Sequence, residues 1–117
     1  MRRKPGTLVP LEQAICLAAR ALRRRGIATF HGFLIARELT ALADSRRLTG
    51  HGTLYRALAR LEGMGLLESR WEDPQQAADE GRPRRRLYEI TEAGLKAAAT
   101  AEADSRAASP HGRWAQT

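Results

Sequence analysis

Apolar positions recur along the chain at two different spacings, and the change from one to the other divides it. Over residues 10–25, Leu11, Ile15, Ala18 and Leu22 fall at helical intervals and define one stripe. Pro10 suits a first helical turn, and Arg23, Arg24 and Arg25 before Gly26 suit the negative end of a helix dipole and its stop. A second helix is predicted over about 31–43, with Ile35, Leu39 and Leu42 at i, i+4 and i+7. Residues 44–50 form a polar turn. A third helix follows over about 51–63, carrying Leu54, Leu58 and Leu61 on one face, and Gly63 and Gly65 stop it.

Beyond Gly65 the helical period is lost. Residues 66–71 and 86–90 are short runs bounded by turn residues and predict two strands. The stretch 73–85 between them is rich in Gln, Asp, Gly and Pro. It is too long for a tight hairpin turn and predicts a mobile tip. Thr91 offers an N-cap for a last, Ala-rich helix over about 92–107. Residues 1–9, with Pro5 and Gly6, read as a flexible basic arm, and 108–117 as a disordered tail. What remains is one domain over 10–107, mainly α with a small β-hairpin. The order of elements is that of a winged helix-turn-helix: three helices, a two-stranded wing and one C-terminal helix.

Composition adds a partner to this outline. The chain has 117 residues, 43% of them hydrophobic and few aromatic, so one modest core of Leu, Ile and Ala is expected. Lys and Arg outnumber Asp and Glu by 20 to 13, and the pI is near 10.9. Nearly all the cations are Arg, whose planar fork suits phosphates and guanine edges, although genomic base composition also favours Arg codons. Such a balance is the footprint of a polyanion. The single cysteine, Cys16, forms no intramolecular disulfide and reads as a small buried hydrophobe. No apolar run approaches the ~20 residues that span a bilayer, and MRRKPG lacks the apolar core of a signal peptide, so a cytoplasmic location is expected.

Chemistry other than binding finds no residues. His31, His51 and His111 show no metal-ligand spacing, Ser45, Ser69, Ser105 and Ser109 lie in no nucleophile elbow, and no Gly-rich phosphate loop is present. Neither an enzyme nor a cofactor is expected.

The third helix is the candidate reader. With its leucines turned to the core, His51, Thr53, Tyr55, Arg56, Ala59 and Arg60 are left on or near the open side. Hydroxyls suit phosphate oxygens, Arg56 can reach a guanine edge, and a recognition helix contacts bases mainly from its N-terminal part. Tyr55 has core packing as its alternative, and Arg60 a solvated surface. The wing holds the densest charge: Arg82, Arg84, Arg85 and Arg86 within five residues. Strand alternation puts Arg84 and Arg86 on the side of Tyr88 and Ile90, with Arg85 opposite. Wing arginines suit the backbone or minor groove, while Glu72, Asp73, Asp79 and Glu80 allow a merely balanced charge run. A homodimer is expected because the first and last helices carry more apolar surface than a three-helix core needs. Leu11, Ile15, Ala19, Leu95 and Ala98 are the candidate interface. Trp71 reads as packing over the hairpin base, with a flat-ligand role as the alternative, and Trp114 falls in the tail.

Three segments in order carry a family resemblance. They are His31-Gly32-Phe33, then Gly52 to Leu58 continuing through Arg60-Leu61-Glu62 to Gly65-Leu66-Leu67, then Gly81-Arg82-Pro83-Arg84-Arg85-Arg86-Leu87-Tyr88 leading into Ile90-Thr91-Glu92-Ala93-Gly94. Together, over roughly 11–98, they resemble the PadR family of transcriptional regulators, in its subgroup with a short C-terminal region. The resemblance implies a winged-helix repressor, dimeric through its terminal helices, on double-stranded operator DNA. It also implies a small apolar or phenolic effector, for which the short C-terminal region leaves little room. Gly50 stands where Ser or Thr is common in the family. The competing class is a winged helix that binds proteins, which would show apolar residues on the third helix where this chain has His51, Thr53, Arg56 and Arg60.

Overall fold

The computed structural model describes residues 7–43 and 50–108, apart from the side chains at 42, 43, 51, 107 and 108. Most of the expected basic arm, the polar turn and the tail lie outside the described residues, as does the side chain of Leu42. Three helices come first: α1 (Pro10–Arg24), α2 (Gly32–Ala43) and α3 (His51–Gly63). Pro10 opens α1 at its first position. Glu12 reaches back so that its carboxylate accepts the Val9 N–H at 3.0 Å. Gly26, at φ 88°, turns the chain out of α1.

The wing consists of β1 (Leu67–Trp71) and β2 (Arg86–Ile90), antiparallel, with Leu67 opposite Ile90 and Trp71 opposite Arg86. A third segment joins it: Phe30 exchanges both backbone hydrogen bonds with Tyr88, at 2.9 and 2.7 Å, and their rings stack at 5.9 Å. The sheet is thus anchored to the entry of α2, a contact the hydropathy pattern does not reveal.

The stretch between the strands corrects one expectation. It holds a short helix, α4 (Pro74–Asp79), where the sequence pattern predicts no element. Asp73 caps it by accepting the Gln75 N–H at 3.0 Å, and Pro74 starts it. The chain leaves through Gly81 at φ 68°, a conformation that favours glycine. An Asp-Pro start and a Gly stop were present in the sequence as helix signals, at a length too short for periodicity to register.

α5 (Glu92–Ala108) closes the fold. Thr91 Oγ1 accepts the Gly94 N–H at 3.0 Å as the expected cap and donates to the Gly65 carbonyl at 2.7 Å, tying the helix start to the exit of α3. α5 packs along α1 within the same chain. Ile15, Ala19 and Ala98 are at most 1% exposed, so these three of the five candidate interface residues are already covered within the chain. Ala98 and Ala101 are buried on α5, so its Ala-rich face has an intrachain partner. Leu11 and Leu95 stay half-buried. Arg20 bridges the pair to Glu102 at 3.1 Å.

The core runs from α1 through α2 and α3 to the wing: Ile15, Leu22, Ile35, Leu54, Leu58, Leu61 and Leu67 are all but inaccessible, with Tyr88 and Ile90 from β2 beside them. Cys16 is fully buried, and burial with the nearby Glu12 charge pushes its thiol up to about 11. It is a packing residue with little thiolate at neutral pH.

Candidate nucleic-acid interface

α3 presents its leucines inward and a polar face outward, as its 3.6-residue period requires. Gly52, Thr53, Tyr55, Arg56, Ala59 and Arg60 are exposed. Gly50 caps the helix with no side-chain acceptor, so its first-turn amides gain none from the cap. Arg56 donates to Thr53 Oγ1 at 3.3 Å across one turn, which holds its guanidinium over the N-terminal half of the helix. The side chain of His51 lies outside the described residues.

The other α3 candidates have neighbours of their own. Tyr55 is 45% exposed, yet its phenol packs onto α2 at Gly32: a Cβ at that glycine would meet the ring carbon bearing the hydroxyl at 2.6 Å. A side chain at Gly32 would therefore displace the Tyr55 phenol from this seat. Arg60 is paired with Glu12 at 3.0 Å, and that carboxylate is only 3% exposed. Its place is between α3 and α1, as the partner of a buried acid.

The wing sorts its arginines in the same way. Arg82 makes a two-pronged bridge to Glu72, at 2.6 and 2.7 Å, and also binds Glu80 at 2.9 Å. Glu72 is 5% exposed and accepts the Arg85 N–H, while its own N–H donates to the Arg85 carbonyl at 2.9 Å. The two segments thus stay linked one step beyond the strands, and the acid–arginine pair clamps the loop that holds α4. The Arg82 hydrogen bonds hold the Glu72 carboxyl down to about 2, against the opposing effect of burial. Arg84 and Arg86 lie over the exposed indole of Trp71, at 5.3 and 5.2 Å from its centroid, and Arg86 also approaches Glu62 of α3 at 3.7 Å. The Arg85 side chain is exposed and makes no ion pair among the described residues.

The wing loop also faces the start of α2. His31 Nδ1 accepts the Leu34 N–H at 3.3 Å and so caps that helix. Burial, then the positive charges of Arg85 and Arg82, push the His31 pKa down against the pull of Glu72. His31 is thus neutral at physiological pH, as an accepting Nδ1 requires.

These elements, in this order, match a known family model. The model is that of the transcriptional regulator PadR-like family, and it covers residues 25–100. The chain belongs to the PadR-like family. It is accordingly a DNA-binding transcription regulator with a winged-helix fold and not an enzyme. Solved structures agree on the fold. A PadR family transcriptional regulator from Eggerthella lenta is 28% identical, with a TM-score of 0.57 over 80% of this chain and 71% of that one. A PadR family regulator from Clostridium difficile gives 24% and 0.60 over 80% and 86%. A transcriptional regulator from Clostridium thermocellum gives 22% and 0.59 over 80% and 82%. No curated protein matches the sequence significantly. Among the described residues no helix is long and apolar enough to cross a membrane.

Proposed function

We propose that this PadR-like regulator is a repressor that binds an inverted-repeat operator as a homodimer, with α3 reading bases and the wing holding the backbone. The observation that carries the division is the state of the arginines. Arg56 stands on the open face of α3, steadied among the described residues by Thr53, in the part of the helix that enters a major groove in this fold class. Thr53, Tyr55 and His51 are proposed to contact phosphates around it. Arg84, Arg85 and Arg86 are proposed for the flanking backbone or minor groove, where cations add affinity with little sequence information.

Arg60 and Arg82 have a different part in this reading. Each pairs with a buried carboxylate, and drawing either toward a phosphate would break that ion pair. They shape the interface from behind. The proposed dimer uses the half-buried Leu11 and Leu95, on the two helices that form the side of the molecule formed by α1 and α5. Two-fold symmetry would then present two equivalent α3 helices and require inverted half-sites about one helical turn apart.

The test is selection of bound duplexes from a random pool, with light scattering of the protein alone. A selected inverted repeat and a dimer at micromolar concentration are expected. A pool with no enriched sequence would instead favour a protein-binding winged helix.

A further inference from the structure

The exposed indole on the wing is no part of the hydrophobic core. Trp71 ends β1 and is 54% exposed, the one large apolar side chain of the strand pair left uncovered among the described residues. Its direction follows from alternation. On the same strand Leu67 is buried, and the Ser69 hydroxyl donates to Glu62 of α3 at 2.5 Å. Trp71 continues that side, as does Arg86, its register partner on β2. The indole therefore faces the same way as the inner surface of the wing, beyond the point where α3 can cover it. A large apolar ring left in water beside two guanidinium groups is costly unless something covers it. The surroundings favour one kind of cover: Arg84 and Arg86 over the ring, with Arg86 3.7 Å from Glu62, suit an anionic partner with apolar walls.

We infer that Trp71 packs against deoxyribose at the minor-groove edge of the bound duplex, with Arg84 and Arg86 directed by the indole onto the adjoining phosphates. This rests on the proposed placement of α3 in the major groove and assigns the wing's apolar contact. Sugar packing is favoured over insertion between base pairs because guanidinium groups already lie over the ring. Sliding the indole into the stack would displace them. Trp71 is thus both a contact and the positioning residue for two cations.

The experiment uses the full chain with Trp114→Phe, so that Trp71 is the only tryptophan, and a duplex of about three helical turns selected by the protein. Acrylamide, a neutral quencher, reads exposure of the ring, and band shift reads binding. Saturating duplex is expected to lower quenching by at least about half. Trp71→Phe should bind within a few-fold of the parent and Trp71→Ala about tenfold more weakly, roughly the loss expected when a half-exposed ring no longer gains cover. Full binding with unchanged quenching overturns the inference and leaves the α3 reading intact. Protection already present without DNA, rising with protein concentration, overturns it in favour of a second copy of the chain over the ring. Lengthening of the duplex on binding overturns sugar packing in favour of insertion. No band shift at low salt removes the DNA reading and this inference with it.

Discussion

The recognition helix and the wing are held in place by different forces. Leu54, Leu58 and Leu61 fix α3 by burial, each at most 2% exposed, so its outer face inherits the rigidity of the core. The wing has only a few core residues at its stem, and its outer loop depends on one buried carboxylate meeting one arginine. An α3 cation can therefore be placed accurately enough to read a base edge. A wing cation is better suited to a tolerant contact. The same contrast divides the arginines, which look alike in the sequence, into those that face outward and those that neutralise the protein's own acids.

The largest effect should come from breaking the apolar side of the comparison. Leu58→Ala removes a fully buried side chain and should cost about 2–5 kcal/mol of stability, read by denaturant unfolding. DNA binding should fall in step with the folded fraction. A Leu58→Ala protein that keeps its full stability would mean that burial of this leucine does not hold α3 in place.

Arg60→Ala should come next. It removes the Arg60 ion pair with the buried Glu12 carboxylate and should destabilise by about 1–3 kcal/mol. The slope of log affinity against log salt should stay unchanged, because no phosphate contact is lost. A reduced slope at full stability would return Arg60 to the DNA surface.

The wing should respond to acid where α3 does not. The Glu72 carboxyl titrates at about 2 in the fold and near 4.5 when free, so its contribution is complete above about 4.5 and is lost as the pH falls toward 2. Amide exchange over residues 72–85 should therefore accelerate in that window before α3 opens. Glu72→Gln should flatten the wing's response, and an unchanged acid profile in that variant would remove the clamp from the account.

The smallest effect separates the wing cations from one another. Arg85→Ala should lower the salt slope by about 0.9 per lost phosphate contact, whereas Arg82→Ala should leave it alone while loosening the loop. Equal slopes for both variants would merge the two classes.

Much of this fold was legible because long periodic runs carry their own evidence. The three leucines of α3, the Tyr88 and Ile90 side of β2 and the Thr91 cap all follow from spacing and residue chemistry. What escaped depends on contacts distant in sequence or on elements too short to show a period. Phe30 joins the sheet through a partner 58 positions away. α4 has only six residues. The role of Ala98 is visible only once α5 lies on α1, since an Ala-rich face fits a chain's own helix as well as a second subunit. At the interface the positions could be read, but the state of each arginine could not. Glu12 precedes Arg60 by 48 residues and Glu72 precedes Arg82 by ten, and no local pattern links either pair.

The most direct test of the division between reader and holder is titration of Arg56→Ala and Arg85→Ala against the selected operator and a scrambled duplex at several salt concentrations. Arg56→Ala is expected to cost about 1–3 kcal/mol on the operator, to relax preference at one position of each half-site and to change scrambled binding little. Arg85→Ala is expected to weaken both duplexes alike. The opposite result, with Arg56→Ala lowering both affinities equally and Arg85→Ala altering base preference, would make the wing the reader and contradict the account.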